Sequence, residues 1–207
     1  MFGCHLAGDD AADGLALACC GAAGIGFRGR LLPLAALALI GSAAALGVLR
    51  YSGLAAAILP HSWLSLAAAC IALPLLAHAI ASRLAGHADA ALPIAAAIVL
   101  MGLLAAAAAA RGWTLFSQAL PALAGFWILV TMLRHRRWLG AASATLMLAG
   151  FASLVLVPPA VRAVLWFSSV QVLHYTMAAG LVGMAWAIRA SEAALPTSHR
   201  LNRLPMI

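Results

Sequence analysis

Apolar residues in this chain occur in long runs that are separated by short polar stretches. A membrane-spanning helix needs about 20 mostly apolar residues. Six runs reach that length: 31–49, 60–82, 91–110, 114–133, 138–157 and 163–188, and the second has an alternative start at Leu54. The connections are short, so neighbouring helices are expected to pack antiparallel. The pattern therefore predicts an all-α integral membrane protein, with a six-transmembrane-helix bundle over residues 31–189.

The two ends of the chain have a different pattern. Asp9, Asp10 and Asp13 precede a short, glycine-rich apolar run that ends before Arg28. This run is too short to span a bilayer comfortably, so residues 1–30 are interpreted as a loose or interfacial N-terminal arm, with a short seventh span as the alternative. Residues 190–207 are predicted to be a polar cytoplasmic tail.

Composition supports a membrane environment. The chain is 66% hydrophobic and 8% charged, whereas a soluble domain is typically about 45–50% apolar and about 25% charged. All twelve basic residues are arginine, and they lie mostly at the ends of the apolar runs. The formal charge of +7 is therefore interpreted as a topology signal. It does not indicate a nucleic-acid partner, and the expected partner is the lipid bilayer.

The arginines also predict the orientation. If residues 28 and 30 are cytoplasmic, nine arginines lie inside and three outside: inside 28, 30, 83, 134, 136, 137, 189, 200 and 203, and outside 50, 111 and 162. This bias agrees with the positive-inside rule. It places both ends of the six-helix core in the cytoplasm and suggests a bacterial-type inner membrane.

Acidic and lysine side chains are expected to be absent from the spans. The sequence has no lysine, and none of its five acidic residues lies in a predicted span. Proton relays and cation-coupled transporters place carboxylates at membrane depth, so a carboxylate-driven pump is disfavoured. No complete catalytic set is found either, and a non-enzymatic role is favoured.

One polar stripe interrupts the last span. His174 lies twelve residues after Arg162, roughly 18 Å along a helix at about 1.5 Å per residue. Gln171 precedes it by three residues and shares its helix face, and Tyr175 shares a face with Gln171. The stripe is interpreted either as a cofactor-binding site or as a polar clamp between helices, with a neutral histidine bonded to a neighbouring helix.

His61 is the second candidate ligand. If its helix begins at Leu54, His61 lies roughly 10 Å deep, at a depth that overlaps that of His174. Haem b could then bridge His61 and His174 as iron ligands. If the helix begins at Pro60, His61 is an interfacial residue.

Three functions follow from these features. The first is a membrane protein that binds haem or a lipophilic cofactor, such as a quinone, at the polar site on the last helix. The second is a non-catalytic structural or assembly subunit of a larger membrane complex, since small residues are abundant in the spans. The third is a passive carrier for a small solute, which ranks last because strong polarity is found on one span only.

Overall fold

The computed structural model describes residues 3–27, 30–86, 92–156 and 169–193. These residues are 91% helical and include no strand. In this part of the chain there are seven helices: α1 (Gly3–Gly26), α2 (Leu31–Tyr51), α3 (Ala55–Leu84), α4 (Leu92–Ala110), α5 (Leu115–Arg134), α6 (Trp138–Leu156) and α7 (Ser169–Ala193). The prediction of an all-helical protein is confirmed for these residues.

Four helices in the described part of the chain are long and apolar enough to cross a membrane: α2, α3, α4 and α5. The apolar part of α6 is shorter (Trp138–Leu154). Helix α7 has 25 residues, but its polar stripe lowers its hydropathy. The six-span prediction is therefore supported for four helices by length and composition. The start of the sixth predicted span (163–168) and most of the tail (194–207) lie outside the described residues.

The N-terminal segment is a helix that packs against the bundle. Helix α1 contacts α2 and α7, and one of its faces is buried. The buried side chains recur at helical spacing: Asp13, Ala16, Cys20, Ala23 and, just beyond the helix, Phe27. This spacing of three and four residues is that of a helix face turned toward neighbouring helices. The segment predicted to be an arm or a short seventh span is thus a helix that packs against α2 and α7, and its apolar part, Ala11–Ile25, is shorter than the helices long enough to cross a membrane.

Helix α3 changes its winding twice. It follows a turn in which Gly53 has φ of 100°, and it starts with a 3-10 turn at Ala55–Ala57. A π-helical stretch occupies Ala68–Ala72. One such turn inside an α-helix frequently accompanies a functional site, because the extra residue disturbs the regular hydrogen bonding.

Small residues allow α6 and α7 to pack closely. A Cβ added to Gly150 would collide with Thr176 Oγ1, and one added to Gly183 would collide with Ser143 Oγ. A Cβ on Gly180 would lie 3.0 Å from the carbonyl oxygen of Ser143. Close backbone approach of this kind is the usual way in which helices associate in lipid.

Helix α4 lies at the edge of the bundle. Only 17% of its Pro93–Ala110 segment is buried, and the large side chains of Leu100, Met101 and Leu104 are exposed. An apolar surface of this extent is unfavourable in water. It is compatible with a membrane protein whose outer surface contacts lipid.

Candidate functional site

His174 lies beside a carboxylate on another helix and forms an ion pair with it when the ring is protonated. Its Nδ1 lies 2.8 Å from Oδ1 of Asp13. His174 is 22% exposed and Asp13 is 1% exposed. Helix α7 supplies the histidine and α1 supplies the carboxylate, so the pair depends on the packing of α1 against α7.

The prediction that no acidic side chain lies in a span does not extend to the surroundings of His174, where Asp13 lies. Residues 1–30 are predicted to be an arm or a short seventh span, and the structure shows that α1 packs between α2 and α7 and buries Asp13. A signal for this helix is present in the sequence. Positions 13, 16, 20, 23 and 27 follow the spacing of a helix face, but most of them are small residues, which give a weak hydrophobic pattern.

Gly47 of α2 accommodates the Asp13 carboxylate. A Cβ added to Gly47 would collide with Oδ2 and Cγ of Asp13. Any side chain at position 47 would therefore displace the carboxylate from its position beside His174. Three helices, α1, α2 and α7, together define where this carboxylate lies.

The Asp13–His174 contact is mainly electrostatic. Although Nδ1 and Oδ1 are close, the approach is not aligned as a hydrogen bond. Asp13 Oδ2 is buried and has no hydrogen-bond partner among the described residues. A buried carboxylate is stabilised by a nearby positive charge, which His174 supplies when its ring is protonated.

His61 lies on α3 and is buried, with 7% exposure. Its Nδ1 is 3.1 Å from the carbonyl oxygen of Ala43 on α2. A carbonyl can only accept a hydrogen bond, so Nδ1 carries the proton and donates it. Nε2 lies 3.5 Å from Oγ of Ser65, and the ring meets Tyr51 edge to face at 6.0 Å between centroids. The helix start at Ala55 matches the longer of the two alternatives for this helix.

A single cavity contains both candidate histidines. Its volume is about 130 Å³, and α1, α2, α3, α6 and α7 contribute to its wall. The polar side chains in the wall are Asp13, His61, Ser65 and His174. The π-helical stretch of α3 contributes Ala68 and Ala69, whose small side chains leave the space open. The cavity therefore combines an apolar wall with a few polar groups, which is the usual composition of a small-molecule site.

The other two members of the polar stripe do not line this cavity. Gln171 is buried, with 4% exposure, and Tyr175 is half-buried. Neither belongs to the cavity wall. Of the four residues predicted to bind a cofactor, the structure brings His61 and His174 to one cavity and leaves Gln171 and Tyr175 outside it.

The titratable groups of the cavity do not form a compact metal site. Among the described residues no group of three or more His, Cys, Asp or Glu side chains could hold a metal ion. The chemistry that the cavity offers is hydrogen bonding from two imidazoles and one hydroxyl, with one buried negative charge behind His174.

Comparisons with protein-family models, with curated proteins and with solved structures found no match for this chain. The geometry of the cavity is therefore the basis for any assignment of function.

Proposed function

We propose that this membrane protein binds a small, oxygen-bearing ring, such as the head group of a quinone or of its reduced quinol, in the cavity between His61 and His174. The observation that carries the proposal is the shared cavity of these two histidines. Ionisable side chains at membrane depth mark functional sites by default, because their burial is costly.

The size of the cavity favours one ring over haem b. An engineered cavity of about 150 Å³ binds benzene, and this cavity has a volume of about 130 Å³. The macrocycle of haem contains four pyrrole rings and is several times larger. Ligation of haem iron by His61 and His174 would require the helices to separate, whereas a quinone ring needs no such movement.

Two measurements test the proposal. The first is the binding of 4-methoxyphenol to the protein in lipid nanodiscs, followed by ligand-observed NMR with empty nanodiscs as the blank. We expect saturable binding that His174→Ala weakens and His78→Ala leaves unchanged. Absence of saturable binding would contradict the proposal.

The second measurement separates the quinone from the haem alternative. The protein is expressed with a haem supply, purified, and examined by absorbance spectroscopy and by mass spectrometry of an organic extract. We expect no Soret band and a co-purifying quinone or quinol. A Soret band that disappears in His61→Ala and in His174→Ala would favour haem b instead.

A second candidate function is supported by the exposed face of α4. Because only 17% of its Pro93–Ala110 segment is buried, this helix has a broad apolar surface on which another subunit could pack. In that case the protein is a structural or assembly subunit. Native purification tests this candidate: a stable partner supports it, and a monodisperse monomer contradicts it.

A further inference from the structure

We infer that the cavity selects phenols and quinols over ligands that lack a hydroxyl group. This inference rests on the proposed function and specifies its ligand class. One oxygen of the ligand donates an O–H to Nε2 of His61, and a second oxygen accepts a hydrogen bond from Nε2 of His174.

His61 supplies the acceptor. Its Nδ1 proton is used by the carbonyl oxygen of Ala43 at 3.1 Å, so Nε2 of the neutral ring has a lone pair and no proton. Ser65 Oγ lies 3.5 Å from this nitrogen, which is long for a hydrogen bond to a hydroxyl. Since Ser65 and His61 both line the cavity, a ligand hydroxyl can compete for Nε2.

His174 supplies the donor. Oδ1 of the Asp13 carboxylate can only accept, and it lies 2.8 Å from Nδ1 of His174. Two lone pairs would repel at this distance, so Nδ1 carries a proton, although its N–H is not aligned as a hydrogen bond. His174 also lines the cavity. When the ring is protonated, Nε2 carries a second proton, and that N–H donates to the ligand oxygen.

The two histidines therefore require different groups on the ligand: His61 needs a hydrogen-bond donor, and His174 needs an acceptor. They lie on separate helices, α3 and α7, and both line a cavity with room for about one ring. A ring with a hydroxyl group at one end and an oxygen at the other satisfies both imidazoles.

Replacing the ligand hydroxyl with a methyl group should lower affinity. The volume of the ligand stays nearly the same, but Nε2 of His61 loses its donor. A site that hydrogen-bonds a substrate hydroxyl discriminates against the analogue without it, because its own polar group is left unpaired. One buried hydrogen bond of ordinary strength corresponds to roughly a tenfold difference in dissociation constant.

The test compares 4-methoxyphenol with 4-methoxytoluene, which differ only in this replacement. Each is titrated against the protein in lipid nanodiscs by ligand-observed NMR, with empty nanodiscs as the blank. We expect the phenol to bind roughly tenfold more tightly. This preference should disappear in His61→Ala and remain in His78→Ala.

The results of this test distinguish failure of the hydroxyl preference from failure of the proposed function. Equal affinity for both compounds in the unmodified protein would overturn the hydroxyl preference and leave the proposed function standing. No saturable binding of either compound would contradict the proposed function itself. Both results come from the native chain, so they hold even if His61→Ala does not fold.

Discussion

The two ends of helix α3 contain the same short motif in different surroundings. His61 and Ser65 lie near its start and His78 and Ser82 near its end, each pair four residues apart. The histidine Nε2 is 3.5 Å from the serine Oγ in the first pair and 3.4 Å in the second. Locally the two pairs are almost identical, so the motif itself does not define a site.

The difference lies in the neighbouring helices. His61 is buried and donates to a carbonyl of α2, and its cavity also contains the Asp13–His174 ion pair. His78 is half-buried and borders an apolar groove with Ile98, Leu120 and Trp127. No charged side chain lines that groove among the described residues. Whether a histidine is a candidate for binding a small molecule therefore depends on the groups that other helices place beside it.

The largest effect is expected from removing the partner of the carboxylate that only the His61 end possesses. His174→Ala leaves the Asp13 carboxylate, which is 1% exposed, without that partner, and breaking a buried ion pair in this way costs about 3–5 kcal/mol. We expect a loss near the lower limit, about 3 kcal/mol, because His174 is 22% exposed and solvent screens the pair in part. Reversible unfolding in mixed micelles measures the change.

The control for this prediction is a double-mutant cycle. Adding Asp13→Ala to His174→Ala should recover part of the lost stability, since the remaining buried carboxylate is removed as well. If His174→Ala has the stability of the unmodified protein, the pair does not contribute as described.

The next effect is steric and concerns the glycine beside Asp13. Gly47→Ala places a Cβ against the carboxylate, and overpacking of this kind costs about 1–3 kcal/mol. Gly41→Ala on the same helix is the matched control, because its Cβ would lie 3.5 Å from Cys20 and Leu17, an ordinary contact distance. Thermal unfolding should give a lower melting temperature for Gly47→Ala than for Gly41→Ala. Equal melting temperatures would contradict the close contact between position 47 and the Asp13 carboxylate.

A smaller difference is expected between the two histidines themselves. His61→Ala leaves the buried carbonyl of Ala43 without its side-chain donor, which costs about 1–3 kcal/mol. His78→Ala removes a half-buried ring from a groove and should cost less. Free energies of unfolding measured for both variants test this ranking. A greater loss of stability for His78→Ala than for His61→Ala would contradict it.

The smallest effect is expected from the serines. Ser65→Ala removes a serine–histidine contact of 3.5 Å, and Ser82→Ala removes one of 3.4 Å. Hydrogen bonds between side chains within membrane proteins contribute about 0.6 kcal/mol on average. Both variants should unfold within that margin of the native chain. A large loss for Ser65→Ala alone would mean that Ser65, as well as Asp13 and Ala43, positions the site.

The hydrophobic pattern predicted much of the helical framework. Helices α2 and α6 start at residues 31 and 138 as expected, because uninterrupted apolar runs between arginines favour helices of that length. Helix α3 starts with a 3-10 turn at Ala55–Ala57, which matches the earlier of the two predicted starts, at Leu54. The position of this start matters because it determines whether His61 lies at the helix end or within the buried part of the helix.

The site could be predicted only in part, for a physical reason. His61 and His174 stand out because imidazoles are rare in apolar runs. Asp13 does not, because it belongs to a helix of small residues whose burial depends on tertiary packing. The contact between Gly47 and the carboxylate joins two helices, and no local pattern in either helix indicates it.

The most direct test of the shared cavity is nitrogen NMR of the histidine rings. The protein, labelled with ¹⁵N-histidine and placed in nanodiscs, is titrated with 4-methoxyphenol, and the signals are assigned with single His→Ala variants. The ring nitrogens of His61 and His174 should shift together, with one dissociation constant, while those of His78 remain unchanged. Shifts at only one of the two histidines, or equal shifts at His78, would contradict a cavity formed by His61, His174 and Asp13.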